Sequence, residues 1–136
     1  MKDKRVHDAL VGSLDLWQAG HQQEALRLMD EVITEAIKEG DDSSAFLFID
    51  HAAMLSPNGG RDRSILKHYY EQYLTSRPEH PRALYGLADI AIEDGQTEIA
   101  KQYAKRCYEA ILQSNDHKIK RDLLDLVLER WPEVAP

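Results

Sequence analysis

One cysteine, Cys107, in a chain of 136 residues leaves no partner for an intramolecular disulfide. Stability must therefore come from packing, and a reducing cytoplasm suits the chain. Glycine and proline are scarce, at seven and five residues, and lie almost entirely between periodic apolar segments. That distribution excludes a low-complexity or collagen-like chain. Basic residues number 17 against 24 acidic ones, for a net charge of -7. The acidic excess is spread along the chain and no basic face stands out, which argues against nucleic acid and anionic membranes as partners. No apolar run is long enough to span a bilayer. The charged start Met1-Lys2-Asp3-Lys4-Arg5 leads into no apolar signal core. A soluble cytoplasmic protein is expected, folded as one compact domain from a chain that is 43% hydrophobic.

What the chain does contain is helical periodicity. Between Asp3 and Ala19 the apolar residues Val6, Ala9, Leu10, Leu14, Leu16 and Trp17 form a helical stripe, with Asp3 as its cap and Gly20 as its end. A second stripe runs through Ala25, Leu26, Met29, Val32, Ile33, Ala36 and Ile37 and stops at Gly40. The caps in Asp41-Asp42-Ser43-Ser44 open a helix from Ala45 to Leu55, and Ser56-Pro57-Asn58-Gly59-Gly60 breaks the chain. Arg61 to Ser76 reads as the next helix, with Ile65, Leu66, Tyr69, Tyr70, Tyr73 and Leu74 on one side. Ser114-Asn115-Asp116-His117 caps a last helix, Lys118 to Arg130, whose stripe is Ile119, Leu123, Leu124, Val127, Leu128 and Trp131. Pro132 ends it, and residues 133–136 are expected to fray.

The stretch from Pro81 to Leu112 is the most informative. Leu84, Leu87, Ala88 and Ala91 recur at helical spacing, as do Ala100, Ala104 and Cys107 after Gly95. Small residues at those positions let two helix backbones approach closely. Pro81 suits a first helical position and Gly95 a left-handed helix end. This pattern resembles the tetratricopeptide (TPR) repeat, a helix–turn–helix unit of about 34 residues. The distance from Gly20 to Ala25 equals that from Gly95 to Ala100, which gives a second copy beginning at Val6. The resemblance implies an all-α, right-handed superhelix of antiparallel helix pairs, with about seven helices. Its units would be residues 6–39, 47–80 and 81–114, followed by a capping helix at 116–131. Residues 40–46 would form an insertion. The middle unit departs from the pattern, since Met54 and Leu66 stand where the family has small residues.

The residue types needed for chemistry do not converge. None of the six histidines, His7, His21, His51, His68, His80 and His117, belongs to a His-x-x-x-His or Glu-x-x-His pair, and Cys107 has no Cys-x-x-Cys partner. His21, His80 and His117 fall in turns or caps and read as solvated. Cys107 reads as a small buried hydrophobe. The tyrosines at 69, 70 and 73 read as core, with hydroxyls at its edge. A non-enzymatic chain without metal or cofactor is expected.

In TPR proteins the first helix of each unit lines a concave surface that binds ligands. Carried onto this chain, the resemblance implies His7, Leu10, Leu14 and Trp17 from the first unit. It adds Phe48, His51 and Leu55 from the middle one and Arg82, Tyr85, Asp89 and Glu93 from the third. The family's clamp for a terminal carboxylate uses lysines and asparagines, which these positions lack. An apolar, aromatic groove with an acidic end is implied instead, suited to a peptide or amphipathic helix of a protein partner. The alternatives are burial of this face against the chain itself, a homodimer or scaffold contact, and a regulatory subunit or enzyme with an unrecognised site.

Overall fold

A computed structural model of the chain describes residues 3–55 and 62–135, with the backbone alone at Asp3. Regular structure among the described residues is entirely helical. The helices are α1 (Asp3–Gln18), α2 (Gln22–Glu39), α3 (Asp42–Met54), α4 (Arg63–Ser76), α5 (Pro81–Glu93), α6 (Thr97–Gln113) and α7 (His117–Arg130), followed by a 3-10 turn at Pro132–Val134. The all-α class and the seven helices are as the sequence implied. The break expected at residues 56–60 lies outside the described residues. The chain forms two compact units, Met1–Leu66 and Lys67–Pro136, whose boundary falls within α4.

Helix ends follow local chemistry. Gly20, Gly40 and Gly95 have φ of 87°, 76° and 75°. In each case the next residue donates its N–H five residues back, to Leu16, Ala36 and Ala91 respectively, at 2.8 to 2.9 Å. This satisfies carbonyls that a helix end leaves without partners. Asp41 accepts from the Ser44 N–H at 3.2 Å and from its hydroxyl at 2.8 Å, so α3 begins at Asp42, ahead of the expected Ala45. Residues 42–46, expected as an insertion, are thus helical. Asp62 caps α4 by accepting from the N–H groups of Ser64 and Ile65, and Asp116 caps α7. The starts of α1, α3, α5 and α7 are spaced more widely than the roughly 34-residue TPR period in every case.

In the first unit α1 and α2 run antiparallel, as the ion pair between Arg5 near the start of α1 and Glu35 near the end of α2 shows (3.0 Å). This pair is exposed and contributes little. The hold is apolar. Ala25, Met29, Val32, Ile33, Ala36 and Ile37 of α2 are buried, as is Ala9 of α1. Ser13 is buried too, its hydroxyl returned to the Leu10 carbonyl at 3.0 Å. Helix α3 is buried on several sides, through Ser44, Ala45, Phe46, Phe48, Ile49, Ala52 and Ala53.

In the second unit the pairing of α5 with α6 is the tightest feature. Leu84, Ala88 and Ala91 share a buried cluster with Ala100, Ala104, Cys107, Ala110 and Ile111. The two helices run antiparallel, because the Cys107 thiol near the end of α6 donates to the carbonyl of Pro81, the first residue of α5, at 3.3 Å. Tyr70 of α4 closes on α5 at Gly86, where an added Cβ would lie 2.5 Å from the tyrosine ring. His80 differs from expectation. It is buried, with Nδ1 accepting from the Ala83 N–H at 3.4 Å and its ring 4.5 Å from that of Tyr73. The tail differs as well: the 3-10 turn brings Val134 against the core cluster instead of fraying.

Two substitutions test this packing. Gly86→Ala should gain about 1 kcal/mol of helix propensity, but the new Cβ would lie 2.5 Å from the ring of Tyr70, which is itself buried and must shift. Overpacking of about 1–3 kcal/mol should prevail, so the melting temperature should fall. Ala100→Leu should be destabilised for the same reason, while Glu98→Ala, at a side chain that is 85% exposed, should change stability by at most about 0.5 kcal/mol. A Gly86→Ala protein more stable than wild type in thermal denaturation would show that α4 and α5 are not so close.

Candidate functional site

Helix α1 turns Ala9 and Ser13 inward, leaving Val6, Leu10, Leu14 and Trp17 at successive helical turns on another side. Leu14 is 38% exposed and the adjoining Val11 43%. Helix α3 exposes Leu47 (46%) and, two turns on, Met54 (59%), with the exposed Asp50 and half-buried His51 between them. An open pocket of about 290 Å³ is lined by Val6, His7 and Leu10 from α1 and by Ser43, Ser44 and Leu47 from α3. The pocket thus combines apolar side chains from both helices with His7, Ser43 and Ser44.

The residues implied by the resemblance fall into three groups. Leu10 and His7 line the pocket, Leu14 is exposed, and Trp17 and Leu55 are half-buried. Phe48 is fully buried and belongs to the core. Its neighbour Leu47 faces outward in its place, about 100° round the helix. Because α3 is apolar on nearly all sides, its pattern does not announce which side faces in. Leu47 and Met54 are therefore exposed residues whose outward orientation the sequence pattern did not reveal.

His51 lies on α3 between those two. It is half-buried, and its Nε2 is enclosed with no hydrogen-bond partner. Burial disfavours the charged imidazolium and holds its pKa below the ordinary 6.5.

In the second unit, Arg82 is exposed, whereas Tyr85 and Asp89 are half-buried beneath the end of α7. Arg130 donates to the Asp89 carboxylate at 2.7 Å and to the Tyr85 hydroxyl at 3.2 Å. Its guanidinium lies 4.7 Å from the Trp131 ring centroid. The Trp131 ring, buried, meets Tyr85 edge-on with centroids 6.1 Å apart. No local motif signals a contact between residues so far apart in the chain.

Among the described residues no group of three or more His, Cys, Asp or Glu side chains could hold a metal ion. Burial pushes the Cys107 thiol up to about 12, far from the thiolate a nucleophile requires. No helix among the described residues is long and apolar enough to cross a membrane. No family model matches the chain, nor does any curated protein or solved structure.

His51 gives this surface a pH dependence. With its folded pKa below 6.5, the unfolded chain takes up the proton first, so stability is complete above pH 6.5 and declines as pH falls below it. In urea titrations on either side of that value, wild type should lose more stability on acidification than His51→Leu. Equal losses would show that His51 is as solvated in the folded protein as in the unfolded chain.

Proposed function

We propose that the chain is a TPR-like protein-interaction module. Its first helix of each pair would supply the binding surface, and the α1–α3 face of the first unit would receive an apolar peptide or amphipathic helix. The observation that supports this reading is an open pocket lined by Val6, Leu10 and Leu47, on helices that also expose Val11, Leu14 and Met54. Such side chains lose apolar area to water-free contact when a partner's anchors enter the pocket, at about 25 cal/mol for each Å² removed from water. The polar groups at the pocket rim, His7 and Ser43, leave room for orientation by hydrogen bonds. The TPR assignment itself is supported by the antiparallel pairing of α5 with α6 through small residues and by Pro81 at the first helical position. A cytoplasmic, adaptor-like role accords with the acidic charge and with the single, protected thiol.

The test uses exposed positions, where substitution perturbs folding little. Leu14→Ser and Leu47→Ser, together, should leave the melting temperature within a few degrees of wild type. Removing two anchors at about 2 kcal/mol each should weaken capture of a native protein partner well over tenfold. Solution molar mass, measured in parallel, separates a foreign partner from a second copy of the chain. A folded double variant that retains its partner at wild-type affinity would place the binding surface elsewhere.

A further inference from the structure

We infer that the end of α7 is an intramolecular ligand of α5, and that this face of α5 recognises an arginine adjacent to an aromatic residue. The inference rests on the protein-binding reading above and names a partner chemistry for the second unit.

Helix α7 is held unevenly. Val127 alone is buried among its own residues, whereas α6 buries Ala100, Ala104, Cys107, Ala110 and Ile111. Leu126 is exposed, and Leu123, Leu124 and Leu128 are half-buried. The strongest polar contacts are gathered at the C-terminal end, in Arg130 and Trp131. There the guanidinium reaches one carboxylate and one phenol hydroxyl, both on α5, one turn apart at Tyr85 and Asp89. The same guanidinium is placed against two rings, at 4.7 Å from Trp131 and 5.8 Å from Tyr85. The ion pair is partly withdrawn from solvent, with side-chain exposures of 33% and 24%, so it is less screened than a surface pair.

Acid, phenol and aromatic edge together suit a cation next to a ring: the carboxylate matches the charge, Tyr85 accepts the second N–H, and the tyrosine face receives the guanidinium. Both bonds leave one nitrogen, Nη1, so the preference for arginine over lysine comes from the planar guanidinium, which stacks on the two rings as a compact ammonium would not. When α7 lifts, Tyr85 and Asp89 lose the Arg130 guanidinium, and an equivalent pair from another segment can take its place. An element with few buried residues opens at lower free energy than the hairpin beneath it. The last helix therefore acts as a competitor that sets the threshold for outside ligands, lowering their apparent affinity by the fraction of molecules in which it is docked.

The probe is a fluorescent synthetic peptide of residues 117–136, titrated against full-length proteins with anisotropy as the readout. Wild type should bind it weakly, because its own α7 competes. Arg130→Ala, which removes the competing guanidinium, should bind it on the order of tenfold or more tightly. Adding Asp89→Asn to that variant should remove the gain. Equal affinity for wild type and Arg130→Ala, no binding to either, or full binding by the Asp89→Asn combination overturns the inference. Hydrogen exchange on wild type supplies an independent arm that needs no variant. Amides of α7 should exchange faster than those of α6, and faster still as salt is raised to roughly 1 M. Protection of α7 equal to that of α6, or exchange indifferent to salt, also overturns it. Because the Leu14 and Leu47 test concerns a different unit, failure there with success here would discard the α1–α3 face and keep this one.

Discussion

The approach of α5 to α6 is the constraint on which the second unit depends. Ala88 and Ala91 lie against Ala100, Ala104 and Cys107, and none of these side chains extends far beyond its Cβ. Helix axes separated by large side chains would sit near the upper end of the usual 8–10 Å range, and small residues bring them closer. Closeness has consequences at both ends of the pair. At one end the chain must reverse within a few residues, which the left-handed Gly95 allows. At the other, the thiol of Cys107 comes within reach of the Pro81 carbonyl. Gly86 repeats the device on another side of α5, where the ring of Tyr70 occupies the space of a missing side chain.

The helix ends were legible because their chemistry is local. Gly20, Gly40 and Gly95 stop helices through their own backbone freedom, and Asp116 and Pro81 begin them through a cap and a fixed φ. Small residues in α5 and α6 were equally legible, since one side of each helix is consistently apolar. Three features were not. The orientation of α3 is hidden because apolar residues cover nearly its whole circumference, so Leu47 and Phe48 exchange roles without changing the pattern. His80 reads as a solvated turn residue, yet the ring of Tyr73 closes over it. Arg130 reads as an ordinary basic residue in a last helical turn, and its partners are chosen by tertiary geometry alone.

The two units differ in what their exposed helices offer. In the first, Val6, Leu10 and Leu47 border an open pocket together with His7 and two serines. In the second, the corresponding positions on α5 combine an acid with a phenol and are covered by the chain's own arginine and tryptophan. Contact energies differ accordingly: apolar burial in the one is insensitive to salt, whereas a partly exposed ion pair in the other weakens as ionic strength rises. A partner's affinity measured across a salt series would therefore report which surface it uses.

Cys107 carries a consequence beyond packing. Its proton is held at neutral pH and its sulfur is enclosed between α5 and α6. Alkylating reagents and oxidants act on the thiolate, so they act on this chain after the two helices part. The thiol is thus a clock for that separation, and the rate of its labelling measures how often the hairpin opens. A disulfide between two copies, once formed, marks molecules that had come apart there first.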